Sequence, residues 1–211
     1  MKPGIPRATV ERLPRYLQCL EQIPRGQGTI SSSDLARLSG VNAANVRKDL
    51  SYLGSYGVRG VGYRIVNLAA QIRSELGLAK ERQVIVVGVG NLGSALAKYD
   101  GFSDRGFRIV GLYDVDPEKI GTQVGSQVIR PIEQLAADAA ASDMAMAIIT
   151  TPTSAAQGIA SLLVDAGVRS ILNFAPELLE VPDSVHLRQV ELATELQILS
   201  FYLADSESQT G

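Results

Sequence analysis

Apolar residues recur every three or four positions near the start of the chain, which is the spacing of one helical face. In the stretch "ATVERLPRYLQCLEQI" this face consists of Val10, Leu13, Leu17, Leu20 and Ile23. Proline suits only the first turn of an undisturbed helix, and Pro14 lies in the middle of the stretch. The pattern therefore predicts a first helix that is either kinked at Pro14 or begins again there.

Two shorter helical stretches follow, and each carries its own start and stop signals. "ISSSDLARLSG" has Ser32 or Ser33 as its predicted N-cap and Gly40 as its C-terminal stop. "VNAANVRKDLSYLG" opens with Asn42 as a predicted cap and ends at Gly54. Two short helices joined by a tight turn predict a helix-turn-helix.

The second of these helices has an apolar side and a basic side. Val46, Leu50 and Leu53 recur at helical spacing and are predicted to pack inward. Arg47 and Lys48 lie towards the N-terminal half, where a recognition helix meets base edges and phosphates. A helix that simply carries solvated charges is the alternative.

The segment "GSYGVRGVGYRIV" predicts two short strands around a glycine turn, as in the wing of a winged helix. Arg59 at the predicted tip can reach the minor groove or the DNA backbone, and Tyr56 and Tyr63 can stack or hydrogen-bond to phosphate. An ordinary hairpin is the alternative. The stretch "NLAAQIRSELGL" then predicts a fourth helix.

A glycine motif marks a second domain. "QVIVVGVGNLGSALAKY" predicts a buried strand, a glycine turn and a helix start, and Gly88, Gly90 and Gly93 satisfy G-x-G-x-x-G in that context. Without Cβ atoms the chain can turn tightly, and its backbone can approach a pyrophosphate at the helix N-terminus. The next predicted strand ends at Asp114, where an acid binds ribose hydroxyls and disfavours a 2′-phosphate. This favours NAD(H) over NADP(H); a Rossmann-like domain with a different nucleotide site is the alternative.

Strand-like and helix-like stretches alternate through the rest of the chain, which predicts a parallel sheet with right-handed crossovers. The loops "TTP" (150–152) and "NFAP" (173–176) follow the carboxyl ends of predicted strands, where such sheets hold ligands. Ordinary loop chemistry is the alternative for both. The stretch "ELATELQILSFYL" predicts an amphipathic helix, and pattern alone favours packing on its own sheet over docking on another subunit.

The predicted fold class is α/β, with an N-terminal winged helix-turn-helix domain and a C-terminal Rossmann-type domain built on a parallel sheet. The predicted boundaries are 1–78 for the first domain, 79–82 for a polar linker, 83–190 for the second domain, 191–204 for the C-terminal helix and 205–211 for a disordered tail.

Charge divides along the same boundary. The net charge is −2, yet residues 1–82 hold 13 Lys and Arg against 6 Asp and Glu, and residues 83–211 hold 7 against 16. A basic half suggests contact with a polyanion, although two domains with unlike solvated faces would look the same. There is no apolar run of membrane-spanning length or signal-peptide core, and Cys19 is the single cysteine. The sequence favours a cytoplasmic protein without membrane contact.

The candidate chemistry does not favour an enzyme. Hydride transfer to a carbonyl usually needs a positioned His, Lys or Tyr, and the only histidine, His186, lies in a predicted edge strand. The sequence holds no metal-ligand cluster and little room for a separate substrate domain. Two rival hypotheses are an NAD-dependent oxidoreductase with an accessory basic domain and an architectural DNA binder with a vestigial Rossmann domain.

The blocks "VRKDLSYLGSYGVRGVGY" and "VGVGNLGSALAKY" resemble the Rex family of bacterial redox-sensing transcriptional repressors, and the resemblance covers nearly the whole chain. It implies a winged-helix domain that binds palindromic double-stranded operator DNA and a Rossmann domain that binds NADH or NAD+. It also implies a homodimer whose C-terminal helix is exchanged and inserted between the two domains of the partner subunit, against the expectation from pattern alone. NADH would close the dimer and release DNA, whereas NAD+ would compete without closure.

The resemblance also assigns residues by position. The implied DNA contacts are Arg47, Lys48, Ser51, Tyr52 and, in the wing, Arg59. The implied pyrophosphate site is the turn of Gly88, Val89, Gly90, Asn91, Leu92 and Gly93, with Asp114 at the adenosine ribose. Thr150, Thr151 and Pro152 would line the adenine or central cleft, and Asn173, Phe174 and Ala175 the nicotinamide end.

A further implied element joins the two subunits. Tyr99 matches a family tyrosine that is linked through a hydrogen bond to an acid on the exchanged helix. The matching acid here is Glu191, where some relatives carry Asp, and Leu192 follows it, where some relatives carry an aromatic residue. These departures bear on the nicotinamide pocket.

Overall fold

In the computed structural model the chain forms two units, residues 1–80 and 81–211. The structure describes residues 4–24, 26–54, 57–58, 60–141 and 144–209. Tyr56 and Arg59, two of the expected wing contacts, lie outside these ranges.

Within its described residues, the first unit consists of four helices and a two-stranded sheet. Its elements are α1 (Arg7–Glu21), β1 (Thr29–Ile30), α2 (Ser32–Ser39), α3 (Ala43–Tyr52), β2 (Tyr63–Arg64) and α4 (Ile65–Glu75). Helix α1 runs through Pro14 without interruption. Because Pro14 lies on the exposed face, water can satisfy the carbonyl that its missing N–H leaves unpaired. The inward-facing residues predicted for α3, which are Val46, Leu50 and Leu53, are all buried.

The ends of α2 and α3 carry the predicted kinds of cap, with one correction. Gly40 adopts the left-handed conformation and ends α2, and Asn42 caps α3 by accepting the N–H of Ala44 at 2.7 Å. The N-cap of α2 is Ser31, however, and not Ser32 or Ser33. Ser31 has extended backbone, so its hydroxyl reaches the N–H of Asp34 at 3.0 Å, while the next two serines already belong to the first turn.

The predicted two-stranded wing is only partly correct. Within the described residues the turn is closed by one bridge between Val58 and Gly62, where Gly62 has a positive φ of 90°. Tyr63 and Arg64 pair instead with Ile30 and Thr29 of β1. A Cβ on Gly62 would lie 2.3 Å from the carbonyl oxygen of Ile30, so this close pairing requires glycine.

The described strands of the second unit are β3 (Arg82–Val87), β4 (Phe107–Asp114), β5 (Gln123–Val124), β6 (Gln127–Pro131), β7 (Met146–Ile149), β8 (Ser170–Asn173) and β9 (His186–Gln189). The unit is built on the sheet that these seven strands form, in the order β5-β6-β4-β3-β7-β8-β9. Its helices are α5 (Asn91–Ala97), α6 (Leu135–Ala140), α7 (Thr153–Asp165) and α8 (Leu192–Gln209), with 3-10 turns at Asp100–Arg105 and Ile132–Gln134. All pairs are parallel except β5 with β6, and His186 lies in the edge strand β9, as predicted.

The two faces of this sheet are covered unequally. Ile85 and Val87 point to the face that packs with buried residues of α6 and α7, and Val84 and Val86 point to the opposite face. On that opposite face an apolar groove of about 400 Å³ remains, and its floor includes Ile148 and Leu172. This face of the sheet is therefore incompletely covered by the described residues of its own unit.

Helix α8 corrects two expectations. Seven of its apolar side chains are 45 to 68 % exposed, so it does not cover its own sheet as pattern alone favoured. The helix continues to Gln209, beyond the predicted boundary at 204, so residues 205–209 are helical rather than disordered. Among the described helices, none combines the length and the apolar character that a membrane crossing requires.

Candidate dinucleotide and nucleic-acid sites

The three motif glycines perform three different tasks. Gly88 has a positive φ of 91°, and a Cβ there would lie 2.9 Å from the backbone of Thr151. A Cβ on Gly93 would lie 2.1 Å from the carbonyl oxygen of Gly88, so α5 can pack on the turn only with glycine at this position. Gly90 has nothing within 4 Å of such a Cβ, so it leaves open space beside the turn. This is the arrangement that a dinucleotide-binding turn requires.

Two neighbouring threonines after β7 have unlike roles. The Thr150 hydroxyl donates to the carbonyl oxygen of Gly88 at 2.6 Å, which fastens the glycine turn to the adjacent strand end. The Thr151 hydroxyl oxygen is buried and has no hydrogen-bond partner within the described part of the chain. Because a buried hydroxyl without a partner costs free energy, Thr151 is the group here that a ligand would satisfy.

Asp114 connects the end of β4 to the glycine turn. Its Oδ2 accepts the backbone N–H of Val89 at 2.7 Å and the Nζ of Lys119 at 3.2 Å, and its Oδ1 accepts the N–H of Asp116 at 3.0 Å. Burial raises the pKa of Asp114, but the hydrogen bonds from the Asp116 and Val89 backbones and from Lys119 outweigh it, so the pKa lies below its ordinary value. The carboxylate is ionised at neutral pH.

These elements surround one cleft of about 520 Å³. Its lining includes the predicted residues Gly88, Gly90, Asp114, Thr150, Thr151 and Pro152. It also includes Lys119, which the sequence reasoning missed. The hydrogen bond to Asp114 raises the pKa of Lys119, so the cleft contains a firmly protonated ammonium group. A lysine one turn beyond a strand-end acid was the available signal.

The loop at the end of β8 is shaped by a buried amide. The side chain of Asn173 donates to the carbonyl oxygens of Ala175 and Glu177, both at 3.1 Å, and to Gln189 at 2.8 Å. Its Oδ1 accepts the N–H of Ala175 at 2.9 Å. Asn173 therefore organises the loop from within. The contacts of Asn173, Phe174 and Ala175 with a nicotinamide stay predictions, because the cleft lining does not include them.

The residues expected to join two subunits are exposed in the single chain. Tyr99 is half exposed and packs edge-on against Phe102, with ring centroids 5.2 Å apart. Glu191 accepts the hydroxyl of Thr194 at 3.1 Å, and Leu192 is exposed. Within the described residues of one chain no hydrogen bond joins Tyr99 to Glu191. Their interaction stays a prediction that needs a second subunit.

The outer face of α3 is polar and basic. Arg47, Lys48, Ser51 and Tyr52 are all exposed on it. Arg47 donates to the hydroxyl of Ser32 at 3.3 Å, and Ser51 donates to the carbonyl oxygen of Lys48 at 2.7 Å. Tyr63, by contrast, is only partly exposed, and its ring lies against the backbone of Gly57. The four side chains are therefore accessible to a partner, and their contact with DNA stays a prediction.

The inner face of α3 carries a buried charge that the sequence reasoning also missed. Asp49 is 1 % exposed and accepts hydrogen bonds from Thr9, Arg12 and Tyr16 of α1. Burial raises the pKa of Asp49, but the bonds from Arg12, Tyr16 and Thr9 outweigh it, and the pKa is lowered. The same contacts raise the pKa of Arg12. This carboxylate is thus ionised and fully paired in the folded protein.

An Asp49→Asn variant is expected to be less stable at pH 7 by about 3 kcal/mol, since it leaves Arg12 without its counter-ion. The pKa of Asp49 in the folded protein lies below its value of about 4 in the unfolded chain. The extra stability of the wild type is therefore fully present above about pH 4, and it is lost as the pH falls through the folded pKa. Urea unfolding followed by circular dichroism at pH 7 and pH 3 measures this difference. If wild type and variant differed by the same free energy of unfolding at both pH values, Asp49 would not be the ionised, paired carboxylate described above.

Taken together, a helix-turn-helix unit with an exposed basic helix and a Rossmann-type unit with a cleft at its glycine turn are typical of one class of proteins: DNA-binding regulators with a nucleotide-sensing domain. Residues 4–51 match the family model described as putative DNA-binding protein N-terminus, and residues 79–177 match the model described as CoA binding domain.

Similar proteins of known family identify this chain more closely within that class. The redox-sensing transcriptional repressor Rex of Streptomyces griseus subsp. griseus is 50 % identical over 200 residues, which is 94 % of this chain and 79 % of that protein. RSP, a Rex-family repressor, has been solved in complex with β-NADH at 33 % identity and a TM-score of 0.88, with 99 % of both chains covered. Its complex with β-NAD+ and operator DNA matches at 34 % identity and a TM-score of 0.90, covering 99 % of this chain and 97 % of that one. The chain belongs to the Rex family of redox-sensing transcriptional repressors.

Proposed function

We propose that this chain is a repressor that binds palindromic operator DNA as a homodimer and leaves it when NADH binds. The observation that carries the proposal is the match, along 99 % of this chain, to a Rex-family repressor solved both with β-NADH and with β-NAD+ and operator DNA. The two sites described above supply the parts that such a function needs.

Operator recognition is assigned to the outer face of α3. Arg47 and Lys48 reach base edges and phosphates, and the hydroxyls of Ser51 and Tyr52 bind the DNA backbone. Arg59 and Tyr56 contribute from the wing. The two copies of α3 in a dimer would read the two halves of a palindrome.

Dinucleotide binding is assigned to the cleft, and its residues fit the group. Gly90 lines the cleft and leaves room for the pyrophosphate. Val89, Asn91 and Leu92 belong to the same turn and are assigned to the pyrophosphate by position, although they are not part of the cleft lining. The Asp114 carboxylate accepts three hydrogen bonds, and a carboxylate has about four acceptor positions, so it can also accept a ribose hydroxyl. The buried Thr151 hydroxyl gains a partner. When bound, the nicotinamide supplies a ring that is cationic in NAD+ and neutral in NADH.

Dimerisation is assigned to α8. A helix that exposes seven apolar side chains to water is favoured only when other protein surfaces cover them. The apolar groove of the sheet offers one such surface, and its lining includes Arg105 and Arg188, while Glu191 directly precedes α8 and Glu195 lies in its first turn. We infer that α8 of one subunit packs against the other subunit.

The regulatory step is a shift between two dimer arrangements. A ligand changes DNA affinity only if it prefers one of them, and a preference of about 1–3 kcal/mol alters the affinity about 5- to 150-fold. Tyr99 and Glu191 of the partner are proposed to bond in the NADH-bound arrangement. A Tyr99→Phe variant that releases DNA at the wild-type NADH concentration would exclude this contact.

We further infer that the protein is a regulator and not an enzyme, and that it works on chromosomal DNA in the cytoplasm. The oxidoreductase alternative requires consumption of NADH with some carbonyl substrate. Incubation of the protein with NADH and a carbonyl library, followed at 340 nm, tests that alternative, and cell fractionation tests the location.

The experiment that tests the proposed function is a selection of genomic fragments on the immobilised full-length protein, eluted with NADH or NAD+ in parallel. We expect NADH to elute fragments that share a palindrome, at a concentration at which NAD+ leaves them bound. Equal elution by both nucleotides, or by neither, would refute redox sensing. Elution by neither would leave the architectural DNA binder as the better hypothesis.

A further inference from the structure

The recognition helix carries one charged residue that the proposed function does not use. Asp49 follows Lys48 directly, but its side chain points away from the exposed face and towards α1. It is 1 % exposed. A carboxylate so close to the DNA-binding face is unfavourable for DNA contact unless it is neutralised. The presence of Asp49 at this position therefore suggests a role other than DNA contact.

The carboxylate of Asp49 is fully hydrogen-bonded to side chains of α1. Arg12 donates to it through both Nε and Nη2 at 2.7 Å, Tyr16 donates its hydroxyl at 2.7 Å, and Thr9 donates its hydroxyl at 2.8 Å. All three donors lie on one face of α1. Four hydrogen bonds therefore join a single carboxylate of α3 to α1.

Such a network fixes orientation more than it adds stability. Well-packed apolar residues often stabilise a protein as much as a buried ion pair does, because the pair must first be desolvated. Apolar contacts, however, are non-directional, whereas a two-pronged guanidinium–carboxylate pair tolerates little rotation. Rotation of α3 about its axis would move Arg47 and Lys48 relative to the groove floor, and base contacts are the ones most sensitive to such a shift.

We propose that Asp49, held by Arg12 and Tyr16, is a positioning residue that sets the rotation of the recognition helix and thereby the preference for operator over other DNA. Arg12 also cancels the negative charge of Asp49, so both residues can be replaced by apolar ones without changing the net charge. The inference rests on the proposed DNA binding and adds a residue to it.

The test compares the wild type with an Asp49→Leu/Arg12→Met double variant. Fluorescence anisotropy measures affinity for a duplex of the selected palindrome and for a scrambled duplex of equal length, at several salt concentrations. We expect the ratio of the two affinities to fall at least tenfold. Affinity for the scrambled duplex and its salt dependence should stay unchanged, because the phosphate contacts remain.

Two further variants keep the test decisive. An Arg12→Lys variant keeps the charge but loses the two-pronged geometry, so it should also lose operator preference, even if the double variant fails to fold. The control is Arg7→Met/Glu11→Leu, which removes an exposed ion pair of the same helix and should change nothing. An unchanged ratio in a folded Arg12→Lys or double variant would overturn the positioning role. Absence of any operator preference in the wild type would instead refute the proposed function.

Discussion

A Gly90→Ala variant is expected to bind NADH at least tenfold more weakly, a loss of about 1.4 kcal/mol or more, while its fold and melting temperature stay close to those of the wild type. The reason is the open space beside Gly90, which accepts a Cβ in the free protein and which we assign to the pyrophosphate. Titration of NADH fluorescence measures the affinity, and the absence of tryptophan from the chain removes a competing signal.

Two other glycines are the controls for this substitution. Gly158, in the exposed face of α7, also has nothing within 4 Å of a Cβ, so Gly158→Ala should bind NADH normally. Gly93→Ala should lose stability as well as binding, because its Cβ would collide with backbone. Normal NADH affinity in Gly90→Ala would place the pyrophosphate elsewhere.

A Leu199→Arg variant is expected to be monomeric at micromolar concentration and to bind the operator about 100-fold more weakly. Leu199 lies in α8 and is 62 % exposed in the single chain, which we attribute to a missing partner surface. Loss of the dimer removes the gain from binding two half-sites at once, which amounts to about 10²–10⁴ in affinity. Analytical ultracentrifugation and anisotropy titrations measure the two effects.

The matched control places the same charge on another exposed leucine. Leu178 is 90 % exposed in the loop after β8, so Leu178→Arg should leave both the dimer and the operator affinity unchanged. A Leu199→Arg protein that sediments as a dimer would show that α8 is not the subunit contact.

The sequence alone predicted the features that are determined by residues close together in the chain. Gly40 and Asn42 end and begin helices through contacts within a few residues, and the glycine turn before α5 is equally local. For this reason the fold class and the centre of the cleft could be predicted without the structure.

Features that depend on distant pairing could not be predicted in the same way. The N–H of Val89 is accepted by Asp114, and Asp49 meets donors on a helix more than thirty residues earlier. The local pattern places the strand at Tyr63 in the wing, because its true partner, β1, is distant in sequence and only two residues long. No local periodicity indicates such contacts, because side chains separated by many residues leave no spacing to detect.

The exposed apolar surface of α8 affects the stability of a newly made chain. Its apolar side chains contribute little to the folding of a single copy, because in the proposed dimer they are buried only on assembly. The stability of the protein should therefore rise with its own concentration, as it does for other proteins whose folding and association are linked. In a cell, the number of copies would then determine both how much repressor is assembled and how long each chain survives degradation.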